Sequence, residues 1–348
     1  MIAGRYQPTG NAAAGGMGDV IECVDIRLNR RVVIKTLKDG EDERRLIDEQ
    51  RSLINLRSKH VVQLFDIVVL DNDLKKKTGL VLEHIDGKNL EWASFSQDNL
   101  FLKILWQIAC GLADIHAAGI IHRDIKPDNI RIDTNGVIKI IDFGLARREG
   151  KDATTRSIIG TPNFMAPELW GSKTISFDNA IDVYAFGMTA LSLLMISPPD
   201  EVLEMPPASP AKGAIVSLLA EIPPEIATII ESCFDLSPHN RPSMAKIRDA
   251  LSRNLLYERH RALLIVSGTP HELSNKHRTV SLRFGPTSIS ISYDGYGFFV
   301  SQLNGLVSAN NKPLSVRDEI TGCAVLTLNA PGARDFVTFD ISNPQVMP

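Results

Sequence analysis

Residues 130–141 read IRIDTNGVIKII, two β-branched runs joined across Asn135-Gly136. An Asn-Gly pair between such runs is a strong hairpin signal, because both residues accept the positive φ of a tight turn. An antiparallel fold-back brings its own flanks together, and these flanks carry chemistry. HRDIKPDNI (122–130) enters the hairpin and IIDFGLAR (140–147) leaves it, so Asn129 and Asp142 fall side by side with Asp124 and Lys126 on the adjoining loop. A lone aspartate is ordinarily a solvated surface charge. An amide and a carboxylate drawn to one point instead suit Mg²⁺, which takes a few such oxygens together with phosphate oxygens.

Upstream of the hairpin the chain reads mostly as strands. DVIECVDIRL, RRVVIKTL, HVVQLFDIVVL and TGLVLEHI are short apolar runs, interrupted by one amphipathic segment, 42–58, whose Leu46, Ile47, Leu53, Ile54 and Leu56 recur at helical period. Glu49 has Leu53 at i+4 and Leu56 at i+7, which sets it on the inner side of that helix. A carboxylate there needs a cation, and Lys35 at the end of VVIK is the nearest candidate. AAGGMGDV (13–20) is a glycine-rich turn able to approach a phosphate closely.

From Asn99 onward helices dominate: one over 99–119 that stops at Gly119, then 178–196, 223–234 and 243–256. After about residue 258 the texture changes to short alternating stretches (TVSLRF, TSISIS, GFFVSQ, CAVLTL, FVTFDI) separated by Asp-Gly and Asn-Gly turns, the pattern of a small all-β module.

Composition narrows the function classes. With 44% hydrophobic and 23% charged residues the chain is globular, and a net charge of -3 provides no basic field for nucleic acid or anionic membrane. Four scattered cysteines form neither a zinc pattern nor a disulfide framework. The N-terminus lacks the apolar core of a signal peptide, and the apolar run 185–197 is too short to span a bilayer. The expectation is a cytoplasmic protein with no membrane span.

Taken in this order, the segments resemble the eukaryotic-like (Hanks-type) serine/threonine protein kinases, their bacterial branch most closely, over residues 5–257. The resemblance implies an α+β, bilobal kinase fold with a β-rich N-lobe over about 5–85 and a helical C-lobe over 86–257, followed by a β-sandwich-like domain over 258–348. It implies transfer of the γ-phosphoryl of ATP to Ser and Thr hydroxyls of proteins, with ATP and Mg²⁺ as cofactors and Mn²⁺ able to take the same ligands. Gly15, Gly16 and Gly18 would cover the phosphates, with Val20 against the adenine. Lys35 would hold the α- and β-phosphates and pair with Glu49. Asp124 would take the acceptor proton and Lys126 neutralise the γ-phosphate, while Asn129 and Asp142 hold the metal.

Leu82 matches the gatekeeper, and the backbones of Glu83 and Ile85 match the hinge that bonds adenine. Glu168 would pair with Arg241, and Asp182 would anchor the catalytic loop. The lysine of DIKPDN and Thr161 of GTPNFMAPE are features of the serine/threonine class. Arg123 matches the position that binds a phosphate on the activation segment, where Thr154, Thr155 and Ser157 are the candidates for autophosphorylation.

Three positions depart from the family pattern. Ala13 replaces the first loop glycine and Val33 narrows the ceiling over the base. Arg131 stands where an apolar residue supports adenine from below, its guanidinium expected to reach water or to stack on the base. These departures leave a second reading, a nucleotide-binding pseudokinase or scaffold. The C-terminal module faintly resembles the later strands of forkhead-associated domains, without the Gly-Arg and Ser-Arg-x-x-His residues that would hold phosphate. A docking partner or self-association is the role expected of it.

Overall fold

A computed structural model describes residues 1–14, 19–36, 43–72, 75–148, 154–155, 161–170, 175–176, 178–266, 268–342 and 344–347. The chain divides into two compact units, residues 1–251 and 252–347. The first is bilobal, a β-rich lobe followed by a helical one; the second is all β.

The β-rich lobe is a five-stranded antiparallel sheet in the order β1-β2-β3-β5-β4. Its strands are β1 (Tyr6–Ala14), β2 (Asp19–Asp25), β3 (Arg30–Thr36), β4 (Leu64–Asn72) and β5 (Lys75–Glu83). Side chains alternate between faces along each strand. One face buries Tyr6, Cys23, Val32, Ile34, Val68 and Val81 as a single cluster. The registers Val20↔Lys35↔Leu80 and Glu22↔Val33↔Leu82 set the other face. The candidate residues Val20, Val33, Lys35 and Leu82 therefore share that second face.

Helix α1 spans Glu43–Leu53, shorter than the expected 42–58. Residues 54–58 turn away, with Leu56 N–H on the Leu53 carbonyl at 3.2 Å. Its inward line is Leu46, Glu49 and Leu53, while Ile47 and Ile54 are exposed. The expected stripe was too wide: at 100° per residue, Ile47 and Ile54 each sit one step round from the buried line.

In the helical lobe, α2 (Asn99–Ala117) starts on Asp98, whose Oδ1 accepts from Leu100 N and Phe101 N at 2.9 and 3.0 Å. By length and composition alone α2 is able to cross a membrane. Here it is the core helix, burying Phe101, Leu105, Ile108 and Leu112 completely. Helix α3 (Ala180–Leu193) is buried almost throughout. Strand β6 (Gly87–Asn89) precedes α2, and β7 (Ile120–Ile121), β8 (Ile130–Asp133) and β9 (Ile138–Ile140) run between the two helices. The expected hairpin is β8–β9, with Ile130 opposite Ile140, and β6 pairs along its outer edge. Ile141 N–H donates to the Asn129 carbonyl at 2.9 Å, so the two flanks meet.

The second unit has a six-stranded and a three-stranded antiparallel sheet. Leu264, Leu326, Val337 and Phe339 of the larger and Ile289, Ile291 and Val300 of the smaller belong to one apolar core, as in a sandwich. Its first hairpin, Arg261–Val266 with Thr269–Leu273, was not among the expected strands.

Candidate active site

Lys35, carried on β3, reaches across to two carboxylates. Its Nζ lies 3.0 and 2.8 Å from the two Glu49 oxygens on α1 and 2.8 Å from Asp142 Oδ1 beyond β9. Lys35 and Glu49 retain 12% and 2% of their side-chain exposure, Asp142 27%. Burial alone would discharge the ammonium, but the two carboxylates outweigh it and hold its pKa above the ordinary lysine value. Burial likewise pushes the Asp142 carboxyl up, and Lys35 more than cancels this, leaving it below its usual value. Asp142 adopts φ +65°, a left-handed backbone that an aspartate tolerates at some cost. Next to it Phe143 is fully buried with its ring edge-on to His122 at 4.7 Å.

The loop before β8 is held from beneath. Asp182 of α3, with no exposure, accepts from His122 N and Arg123 N at 2.8 Å each, and His116 Nε2 lies 2.9 Å from it. Burial disfavours the Asp182 charge, yet these donors and the nearby histidines bring its pKa below the usual value. His122 Nε2 reaches back to the Ile141 carbonyl at 3.1 Å, joining the loop to the strand that delivers Asp142. Sequence reasoning found Asp182 and missed His116 and His122. The only signal for His116 was its place in the last turn of α2.

Asp124 gathers the remaining groups. Its Oδ1 accepts from Thr161 N and Oγ1 at 3.1 and 2.8 Å, and its Oδ2 from Asn129 Nδ2 at 2.8 Å and Lys126 Nζ at 2.9 Å. Lys126 also donates to Thr161 Oγ1. The Asn129 amide nitrogen is used twice, on the Asp124 carboxylate and carbonyl, so its oxygen is what the residue has to offer a cation. One amide oxygen and one carboxylate fit Mg²⁺, which draws most of its shell from water and phosphate.

The hinge follows β5. Leu82 is buried; the Glu83 side chain is tied to Lys139 at 2.9 Å, and its N–H bonds the Gln63 carbonyl at 2.9 Å. The N–H of buried Ile85 has no partner among the described residues, a ready donor for a ligand acceptor. Arg131 turns toward the hinge backbone. Its guanidinium bonds the hinge carbonyls of Ile85, at 3.4 Å, and Gly87, and Asn89 Oδ1 at 3.4 Å.

Glu168 and Arg241 form the expected bridge, bidentate at 2.7 and 2.8 Å. Gly15, Gly16, Gly18 and Ser157 lie outside the described residues, as do the side chains of Ala13, Thr154 and Thr155. Arg123 is buried, with φ +73°.

Against known proteins, a family model described as the protein kinase domain matches residues 6–251. The chain belongs to the protein kinase family. Its kinase domain is of the Hanks type and is related to bacterial serine/threonine kinases. It is 30% identical over 265 residues to the serine/threonine-protein kinase PknA of Mycobacterium tuberculosis, covering 69% of this chain and 58% of that one. It is 33% identical over 208 residues to the probable serine/threonine-protein kinase pknA2 of Bifidobacterium longum, covering 56% and 27%. A match to the probable serine/threonine-protein kinase PknB of Corynebacterium glutamicum runs over 308 residues at 29% identity, 80% of this chain and 47% of the relative. The chain thus spans less than two thirds of the length of these relatives.

Proposed function

We propose that the protein is an ATP- and Mg²⁺-dependent serine/threonine kinase that phosphorylates hydroxyls of other proteins and of its own activation segment. The observation that carries this reading is the Lys35 ammonium shared by Glu49 and Asp142, which requires β3, α1 and the catalytic hairpin to be in register at once. Bound Mg²⁺ would neutralise charge on the transferred phosphoryl group.

The chain's own groups do the rest. Lys35, kept charged by its two carboxylates, binds the inner phosphates, and Glu49 fixes its direction. Asn129 and Asp142 offer their oxygens to the metal. Asp124 receives the proton of the acceptor hydroxyl, its carboxylate oriented by Asn129 and Thr161 and its negative charge balanced by Lys126. The fully buried Asp182 holds the loop backbone so that this carboxylate stays put. Such a site works by positioning and charge, with little covalent chemistry left to the protein.

Val20 lies against the base and Val33 forms the ceiling over it, and Glu83 and Ile85 read the base edge. Phosphate on Thr154, Thr155 or Ser157 would be received by Arg123. The four free cysteines support a reducing compartment such as the cytoplasm.

Incubation with labelled ATP, Mg²⁺ and generic protein acceptors, beside an Asp124→Asn variant, tests the assignment. Label on serine or threonine with the wild type alone is expected. Absence of label from both would replace the enzyme with a nucleotide-binding scaffold.

A further inference from the structure

Arg131 departs from the family pattern, and its placement changes what the hinge presents. Gly87 pairs so tightly with β8 that a Cβ on it would run into the Ile132 carbonyl. That approach lays the hinge backbone over the floor strand, within reach of a long side chain rising from it. Arg131 uses the reach to engage the carbonyls of Ile85 and Gly87, and it is braced by Asn89, whose own Nδ2 is fixed on the Asp128 carbonyl at 3.0 Å. The planar guanidinium suits this, because several of its donors lie in one fixed fork.

Ile85 is thereby left one-sided. Its N–H is unpaired among the described residues, whereas its carbonyl already accepts from Arg131. A hinge residue with both groups open reads an acceptor and a neighbouring donor on a ligand. This one reads an acceptor and meets a neighbouring donor with a carbonyl that is occupied and backed by a cation.

We propose that Arg131 is a specificity-determining residue of the nucleotide pocket. By occupying the Ile85 carbonyl it selects bases whose ring acceptor has no amino donor on the side of that carbonyl, as in adenine, where N1 lies between the C6 amino group and a bare C2–H, and selects against 2-aminopurines. The inference rests on the reading of this cleft as the nucleotide site.

Equilibrium binding of ATP and of 2-aminoadenosine triphosphate, which adds only the neighbouring amino donor, reads this out without turnover. The wild type should bind the 2-amino analogue no more tightly than ATP. Arg131→Leu, which frees the carbonyl and keeps an apolar floor, should move the affinity ratio about fivefold toward the analogue, the worth of one recovered hydrogen bond. Arg131→Lys, a single charged point without the fork, should move it less; it also serves should the leucine variant melt early without nucleotide. An unchanged ratio in both variants, with ATP still bound, would overturn the role of Arg131 alone. A wild type that binds neither nucleotide would overturn this inference and the nucleotide site together.

Discussion

Among the described residues, every buried aspartate, glutamate, lysine and arginine lies in the kinase domain: Asp25, Glu49, Arg123, Asp124, Lys139, Asp182 and Arg241. The β unit buries only Ser274, Thr287, Ser290 and Thr327 among its polar residues, around an apolar core. Removing a charge from water costs several kcal/mol before its partners offset it, and apolar packing gives stability without that cost. The β unit folds by the second route. Buried ions in the kinase domain are therefore better explained by what they position than by what they stabilise.

The sharpest way to test this contrast is to remove the charges that position. Lys35→Met or Asp142→Asn should lower phosphoryl transfer on the order of a thousandfold with the thermal transition of the β unit unmoved; near-normal turnover would break the contrast. Arg241→Ala comes next, since it leaves Glu168 and the Ala180 carbonyl without their partner. It should cost about 3 kcal/mol or more in denaturant unfolding of the kinase domain.

Phe339→Ala, in the apolar core, should cost the β unit about 3 kcal/mol and leave transfer unchanged. A lost activity there would mean that the two units are not separable in function. A smaller effect is expected from acid. The Asp182 pKa is held below its usual value, so its contribution to stability is complete above about pH 4 and disappears as pH falls through the depressed native value. Asp182→Asn should flatten that acid limb of the melting curve. Least of all, Lys88→Ala removes an exposed pair with Glu91 and should leave the melting temperature where it was.

How much of this was legible in advance follows the same division. Lys35, Glu49, Asn129 and Asp142 were readable because strand alternation, helical period and one Asn-Gly turn fix where backbone-directed side chains go. The face of α1 was read too broadly, since Ile47 and Ile54 are as apolar as Leu46 and Leu53 but lie off the packed line. Arg131 was not readable: a long side chain settles between water, a base and a carbonyl according to a segment forty residues earlier, around Ile85 and Gly87. In the β unit, the strand Arg261–Val266 alternates cleanly, with Ala262 and Leu264 buried, yet its exposed positions are Leu263 and Ile265, so composition hid the period.

A crystal structure with Mg²⁺ and a non-hydrolysable ATP analogue tests the central claim most directly. The account predicts a cation about 2.1 Å from oxygens of both Asn129 and Asp142, with Lys35 Nζ on a phosphate oxygen and still on Glu49. Nucleotide bound with Asp142 turned away from Asn129, and no cation between them, would contradict it.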